Sequence, residues 1–369
     1  MLLISVIIPS YNHGKFICQA IESVLVQKDV NLELLIADDG SSDDTISILD
    51  KYESNPQVTV FDNKINQGAG IVTEQLIRHA KGKYIALLNS DDFWSDPYKL
   101  KKQISFLESN PSFGACFGKA NFVDENGNKI NKFAMEFGDV FDKGKNRSRG
   151  EWLRYFLDHG NCICHPTMLI KKQSFYELGV YKNSLRQLPD YEMWVSLVKN
   201  YDIHIFDEEF VNFRILPGEN ASANSESNSI RIFNEQYLVT RNYFEGISEN
   251  VLLEGFKDLL RHPNKLIDRR FIECETALIL LNYHNQWLGS VYKQVAIENL
   301  YNLLNKPQTR QILQDFYDFG DRDFHRVLGE HDILRPNFVR TNEKLGKPTR
   351  IKVFLSSVKR KLLNVRTSK

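Results

Sequence analysis

The segment YIALLNSDD, residues 84–92, decides the fold of this chain. Five mostly apolar residues run directly into four small polar ones, which is typical of a short strand buried on both faces and followed by a turn. In an open α/β sheet, ligands bind just beyond the carboxyl ends of such strands. We therefore expect Asp91 and Asp92 at the rim of a cleft, where their oxygens suit a divalent cation such as Mn²⁺ or Mg²⁺. The alternative is a solvated turn in which the aspartates only cap a helix.

Similar strands recur along the first part of the chain, each followed by a helical pattern. The predicted strands cover residues 3–8, 32–37, 58–61 and 84–88, and the predicted helices cover residues 16–26, 41–49, 66–80 and 96–108. This alternation indicates right-handed βαβ units. We predict an α/β fold with a doubly wound, mostly parallel sheet.

Polar side chains follow three of these strands. Ser10 and Tyr11 follow the first strand, Asp39 follows the second, and Asp91 and Asp92 follow the fourth. Because the carboxyl ends of parallel strands meet at one edge of a sheet, these side chains should line a common site. Three independent clusters at one edge favour a ligand site over a set of capped turns.

The pattern loosens after residue 113. Strands are predicted over 114–123, 166–170, 203–206 and 209–215, and helices over 151–157, 171–178 and from Asp190 onward. From residue 229 only helical spacing remains, over 229–245, 249–261, 266–288, 291–305 and 309–317. The Ser- and Asn-rich stretch 222–230 resembles a linker. We therefore predict a domain at 1–225, a helical domain at 226–346 and a tail at 347–369.

The composition is that of a soluble globular protein. The 369 residues are 42% hydrophobic and 25% charged, with 47 Lys and Arg against 47 Asp and Glu. Zero net charge offers no argument for nucleic-acid binding. No apolar run approaches the ~20 residues of a membrane span. Five cysteines, an odd number, favour a reduced cytoplasmic setting.

The tail departs from this balance. Residues 347–369 contain eight Lys or Arg and no Asp or Glu, and apolar residues are interleaved with basic ones over 350–369. A basic amphipathic segment lies on an anionic membrane surface, or it is a solvated and frayed terminus. The first alternative predicts attachment to the inner face of the cell membrane.

The residues at the sheet edge suit a nucleotide diphosphate bound with a divalent ion. Asp92, together with Asp91, would hold the metal against the phosphates. Asp39 would accept the N3–H of a uracil, and Tyr11 would stack on the base. The alternatives are a carboxylate that satisfies backbone N–H groups in a turn, and a packed aromatic ring.

Three residues of the later part are further candidates. Asp190, at a predicted helix N-terminus, would take the proton of an attacking hydroxyl, and the helix would lower its pKa. Its alternative role is that of an N-cap. His165 is a lone histidine, which is more often structural than a ligand. Trp194 is an acceptor-side candidate, although large aromatic residues are usually core.

Four motifs in this order and spacing resemble those of family 2 glycosyltransferases of the GT-A fold. They are SVIIPSYN at 5–12, DDGSSD at 38–43, NSDD at 89–92 and DYEMW at 190–194. The resemblance covers about residues 3–220. It implies a GT-A fold with a Rossmann-like nucleotide-binding half; the predicted α-helical C-terminal region lies outside the resemblance. It also implies inverting transfer from a nucleotide-sugar donor, such as a UDP-sugar, with Mn²⁺ or Mg²⁺.

The resemblance assigns roles to residues of this chain. Those implied in nucleotide binding are Pro9, Ser10, Tyr11, Asp39 and Asp91; those implied in metal binding are Asp92 and Asp91. Asp190 matches the general base. The implied diphosphate or acceptor contacts are His165, Trp194 and Arg214. Bacterial relatives of this kind transfer to a glycan or lipid-linked glycan in surface polysaccharide synthesis, and the helical region is a candidate for homo-oligomer contacts.

The chain departs from the family pattern at three places. Asn89 replaces the first aspartate of the metal motif, Thr73-Glu74 replaces an Arg-Asn pair, and Leu216 replaces the histidine of an Arg-x-His motif. These departures motivate one alternative, a non-catalytic module that binds a partner through its helical part. A second alternative is a sugar-phosphate nucleotidyltransferase, but residues 9–15 do not resemble the Gly-rich, Arg-containing loop of that class.

Overall fold

The computed structural model describes residues 3–135, 137–216 and 225–332. Its strands are β1 (Leu3–Ser10), β2 (Asn31–Asp39), β3 (Val58–Asn63), β4 (Tyr84–Leu87), β5 (Phe93–Trp94), β6 (Phe113–Val123), β7 (Leu169–Lys171) and β8 (Asp202–Arg214). Within the described residues these form one eight-stranded sheet in the order β3-β2-β1-β4-β7-β6-β8-β5. The first four strands of that order are parallel, and β7 is antiparallel to both of its neighbours. The predicted α/β fold is confirmed.

The first half of the sheet is buried on both faces, as its apolar strands predict. In β1 the side chains of Ile4, Val6, Ile7 and Ile8 are all fully buried, which is typical of a parallel strand covered by helices on each side. The helices of this part of the chain are α1 (Gly14–Leu25), α2 (Thr45–Leu49), α3 (Ala69–His79), α4 (Lys99–Ser109), α5 (Arg149–His159), α6 (Lys172–Leu178) and α7 (Pro189–Asn200).

The structure differs from the predicted strands in the second half of the sheet. The two strands predicted over 203–206 and 209–215 form the single strand β8, which pairs in parallel with β6. The register shifts between the pairs Phe117–Ile205 and Lys119–Glu209, so the exposed polar residues in the middle of β8 lie at a bulge. These polar residues resembled a turn in the sequence.

The later helices are α8 (Glu226–Arg241), α9 (Glu249–Phe256), α10 (Arg269–Asn282), α11 (Gly289–Leu304), α12 (Pro307–Tyr317) and α13 (Asp321–Glu330). The chain divides into two compact units, Met1–Leu259 and Leu260–Lys369. The division does not fall near 222–230, where we predicted it, because α8 and α9 belong to the first unit. There the backbones of α5 and α9 approach closely: a Cβ atom on Gly150 would lie 2.4 Å from the Val251 carbonyl oxygen.

The second unit has its own apolar core, formed by α10 to α13 around Cys274, Ala277, Leu300 and Leu313. In the described part of the chain, no helix has the length and apolar character needed to cross a membrane. The predicted membrane-binding tail, 350–369, lies outside the described residues.

Candidate active site

The loops after β1, β2 and β4 meet at one edge of the sheet, as the sequence predicts. Ser10 pairs with Asp38 in the register of β1 and β2. His13, in the loop after β1, forms a hydrogen bond of 2.7 Å between its Nδ1 atom and the Ser90 hydroxyl. This bond joins the first loop to the turn that carries Asp91.

Asp91 has a half-buried side chain whose carboxylate receives no hydrogen bond from any other described residue. Burial raises its pKa, and electrostatic interactions with His13 and with Arg214 oppose that rise. A desolvated carboxylate without a protein partner is a strong acceptor for a cation.

Asp92 has a different environment, since its side chain is 1% exposed. The carboxylate accepts the Arg214 backbone N–H at 2.7 Å and the Asn89 Nδ2–H at 2.9 Å. Burial raises its pKa well above the ordinary value, and the charge of Asp91 adds to that rise. Asp92, predicted as a metal ligand, is thus held inside the protein, and Asn89 contributes one of its two bonds.

Arg214 is 1% exposed at the end of β8 and contacts loops rather than the open edge. Its guanidinium donates to the backbone carbonyls of Asp91 at 2.7 Å and Asp124 at 3.0 Å, to the Glu125 carbonyl, and to Gln19 Oε1 at 2.7 Å. The predicted diphosphate contact therefore serves as a buried link among the turn after β4, the turn after β6 and α1.

Asp39 is 3% exposed, and both of its oxygens accept backbone N–H groups of the loop before α3. The donors are Gln67 at 2.7 Å and Gly68 at 2.8 Å. Gly40, with φ +74°, makes the turn that brings this loop close: a Cβ atom there would lie 3.0 Å from the Asn66 nitrogen. Asp39 therefore does satisfy backbone N–H groups of a turn, which was the alternative role considered for it. Each of its oxygens keeps a second lone pair for a ligand.

The remaining nucleotide-binding candidates lie at the end of β1. Tyr11 is 46% exposed, so its ring is available for stacking. Ser10 is buried, and its hydroxyl has no hydrogen-bond partner among the described residues. Pro9 pairs in register with Ala37 of β2. An orphaned buried hydroxyl beside an exposed aromatic ring is consistent with a site that a ligand completes.

Asp190 lies in the first turn of α7. Its Oδ2 accepts the Asn161 Nδ2–H at 2.9 Å, and its Oδ1 accepts the Tyr191 backbone N–H at 2.8 Å. Burial raises the pKa of Asp190 to about 6, and these two hydrogen bonds lower it by less. The expected lowering of the pKa by the helix N-terminus is therefore outweighed by burial. A carboxylate with this pKa is ionised at neutral pH and basic enough to accept a proton.

His165 and Trp194 pack against each other, with ring centroids 5.6 Å apart. The His165 Nε2 forms a hydrogen bond of 2.6 Å with the Tyr181 hydroxyl. Burial lowers the pKa of His165 to about 4, so this ring is neutral. Trp194 is fully buried and stacks edge-on against Phe117, which places it in the core rather than on an acceptor-facing surface.

Sequence reasoning missed His13, Ser90 and Asn161. Ser90 lies inside the NSDD motif and His13 directly follows the SVIIPSYN motif, so their positions were a usable signal. Asn161 had none, because it lies 29 residues before Asp190 in an irregular segment.

The sequence and the fold of this chain are similar to those of known proteins. Residues 5–179 match the model of the family described as Glycosyl transferase family 2. The putative teichuronic acid biosynthesis glycosyltransferase TuaG of Bacillus subtilis is 31% identical over 200 residues, 53% of this chain and 72% of that protein. The chain belongs to glycosyltransferase family 2. The resemblance found in the four motifs is thereby confirmed.

Other family 2 relatives are longer than this chain. An uncharacterized glycosyltransferase of Rickettsia felis is 30% identical over 71% of this chain, but the match spans only 42% of that protein. The chondroitin synthase of Escherichia coli is 28% identical over 63% of this chain and 32% of its own length.

Two solved structures share the fold. Staphylococcus aureus TarS 1–349 in complex with UDP-GlcNAc has a TM-score of 0.53 at 18% identity, covering 94% of this chain and 93% of that one. The mannosyltransferase PcManGT of Pyrobaculum calidifontis, in complex with GDP-Man and Mn²⁺, has a TM-score of 0.51 at 14% identity, covering 94% and 88%.

Proposed function

We propose that this family 2 glycosyltransferase transfers a sugar from a UDP-sugar to an acceptor hydroxyl with inversion and with the help of a divalent metal. The observation that carries the proposal is the Asp91 carboxylate, which is half-buried at the carboxyl end of the sheet and accepts no hydrogen bond from another described residue. The neighbouring carboxylates of Asp39 and Asp92 are already bonded within the protein. Only Asp91 among these three is poised to meet a charged ligand.

The residues fit a metal that is shared with the donor. Among the described residues, no group of three or more His, Cys, Asp or Glu side chains could hold an ion alone. Mg²⁺ is typically bound by one or two carboxylates together with substrate phosphates. Asp91 would hold the ion and the donor diphosphate would supply further oxygens; the bound ion would neutralise charge on the leaving diphosphate.

The donor we propose is a uridine nucleotide sugar. Tyr11 offers an exposed ring for the base, and the second lone pairs of Asp39 can accept the uracil N3–H. TarS, which shares the fold, binds UDP and UDP-GlcNAc. PcManGT, which shares the fold, forms a complex with GDP-Man and Mn²⁺. That complex supports a metal in this protein, and the choice between uracil and guanine as the nucleobase is to be tested.

Asp190 is the proposed general base. Its carboxylate accepts the proton as the acceptor oxygen attacks the anomeric carbon from the face opposite the diphosphate. The bond between the anomeric carbon and the diphosphate oxygen breaks, so the configuration inverts. Asn161 orients the carboxylate through its bond to Oδ2. The acceptor we propose is a glycan or lipid-linked glycan of a surface polysaccharide, modified at the cytoplasmic face of the membrane.

The decisive experiment is calorimetric titration of UDP into the protein with and without Mn²⁺. In the Asp91→Asn variant we expect Mn²⁺-dependent UDP affinity to fall at least tenfold, because the amide cannot replace a charged ligand. Asp207→Asn is the matched control, since the Asp207 side chain is 94% exposed and pairs with Lys119. Wild-type affinity in the Asp91 variant would refute the metal assignment.

A further inference from the structure

The turn that leads into α7 lacks a local cap. Leu188, the residue before the helix, provides no side-chain cap, and Pro189 follows it. The backbone N–H groups of the residues just upstream therefore need partners from elsewhere, because unpaired buried donors are costly. Asp190 lies two residues after this turn, so the partner of the turn also influences where the proposed base sits.

Glu235 supplies that partner from α8. Its side chain is 5% exposed. One carboxylate oxygen accepts the Arg186 N–H at 2.8 Å, and the other accepts the N–H groups of Gln187 at 2.7 Å and Leu188 at 2.8 Å. Three charge-assisted bonds from consecutive amides fix a turn much more firmly than a single neutral bond.

A further hydrogen bond connects the turn at residues 186–188 to α8, and Asn161 binds the Asp190 carboxylate. The Gln187 Nε2–H donates to Asn228 Oδ1 at 3.3 Å, also on α8. Asn161 donates to the Asp190 carboxylate, and its own Oδ1 accepts the Ile163 N–H at 2.9 Å. Asp190 therefore lies between the turn at residues 186–188, which Glu235 binds, and the Asn161 side chain.

We propose that Glu235 is a positioning residue that places Asp190 for proton transfer by anchoring residues 186–188 to α8. This inference rests on the proposed role of Asp190 as the base. Glu235 acts through geometry, because the influences on Asp190 protonation are burial, backbone N–H groups and Asn161 rather than the Glu235 charge. Displacing a catalytic group by about 1 Å can cost about 100-fold in rate.

The test compares two buried glutamates of the full-length protein. Glu235→Gln replaces one accepting oxygen with an NH₂ group that faces N–H donors. Glu275→Gln is the matched control, because Glu275 is 1% exposed and accepts the N–H groups of Arg261 at 3.1 Å and His262 at 2.6 Å in the second unit. The reaction measured is Mn²⁺-dependent hydrolysis of UDP-glucose, UDP-galactose, UDP-GlcNAc and UDP-GalNAc, with water as the acceptor.

We expect Glu235→Gln to lower kcat at least tenfold on the best donor, with KM within twofold of wild type. The pH at which the rate falls to half on the acid side should be the same in the variant and the wild type. Glu275→Gln should lower the Tm while leaving kcat within twofold. An equal effect of both variants on kcat, or a rise in KM without loss of kcat, overturns the proposal. A wild type that hydrolyses none of the four donors contradicts the proposed function instead.

Hydrogen exchange on the wild type keeps the anchor testable even if Glu235→Gln does not fold. Amides 186–188 should exchange at least tenfold more slowly than in an unstructured chain, because each donates to a buried carboxylate. Exchange at the unstructured rate shows that the turn is not anchored and overturns the proposal. This measurement does not depend on activity, so it separates the two hypotheses.

Discussion

At the scale of single residues, environment divides chemically identical carboxylates into different roles. Asp39 and Asp92 each accept two N–H groups from the protein, and both are almost completely buried. Among the residues that the structure describes, none donates a hydrogen bond to the Asp91 carboxylate from elsewhere in the chain, whereas Asp190 has a raised pKa and accepts a side-chain hydrogen bond from Asn161. Groups of one type whose pKa values are set apart by their surroundings are typical of active sites.

The raised pKa of Asp190 predicts an acid limb in the rate profile. Because burial raises this pKa to about 6, the carboxylate is ionised above pH 6 and becomes protonated below it. A protonated carboxyl cannot act as the base, so kcat/KM should fall about tenfold for each pH unit below that midpoint. Steady-state hydrolysis of a UDP-sugar from pH 4.5 to 8.5 measures this fall in kcat/KM.

The control for this profile is Asp190→Asn. It should lose at least 99% of turnover at every pH and bind UDP with wild-type affinity, because asparagine cannot accept the proton. Turnover that survives in this variant contradicts the base assignment. A profile that stays flat to pH 4.5 contradicts the raised pKa.

The roles assigned to the motif residues stay predictions, and the environments of these residues in the folded chain differ. Asp92 and Arg214 bond to each other and to loops, and Trp194 is in the core. Tyr11 and Asp91 remain accessible, in keeping with the predicted nucleotide and metal roles. Position in a motif follows from local sequence, whereas accessibility depends on what packs over the residue.

At the scale of elements, Arg214 at the end of β8 connects the loops of the candidate site by hydrogen bonds. Arg214 spans the turn after β4, the turn after β6 and α1 with separate N–H groups of one planar guanidinium. A lysine ammonium at this position cannot reach the same set of acceptors. The anchor from Glu235 acts similarly on the turn before α7.

We predict that Arg214→Lys lowers the free energy of unfolding of the first unit by about 3 kcal/mol, because buried acceptors lose their partners. Thermal and urea unfolding followed by circular dichroism measure the loss. Arg78→Lys is the control, since Arg78 is 71% exposed on α3 and pairs with Glu74 one turn before it. An Arg214 variant as stable as the control contradicts the linking role.

At the scale of the whole molecule, the first compact unit extends to Leu259 rather than to the linker-like stretch 222–230. The reason is that α9 and the segment before it complete the core over α5. Tyr243 and Phe256 are fully buried, and the Tyr243 hydroxyl donates to the Leu153 carbonyl. Helical periodicity shows that a segment is a helix, but it does not show which core the helix joins.

This division predicts the outcome of truncation. A fragment of residues 1–259 should unfold cooperatively and bind UDP with Mn²⁺, whereas a fragment of residues 1–225 should aggregate. The shorter fragment exposes the surface of α5 that Tyr243 and Phe256 cover, and it lacks Glu235. Thermal shift and calorimetry on the two fragments test this; a stable, UDP-binding 1–225 fragment contradicts the assignment of α8 and α9 to the first unit.

From the sequence alone we obtained the order of β1 to β4 and α1 to α4, the α/β class and the edge at which the polar motifs meet. These follow from hydrophobic periodicity and from the short distance between each strand and its own turn. Only the tertiary structure decided which carboxylates are free. Asp92 is bonded to Arg214, 122 residues away, Asp190 to Asn161, 29 residues away, and residues 186–188 to Glu235. Such partners meet only when the chain has folded, so no local sequence pattern predicts these contacts.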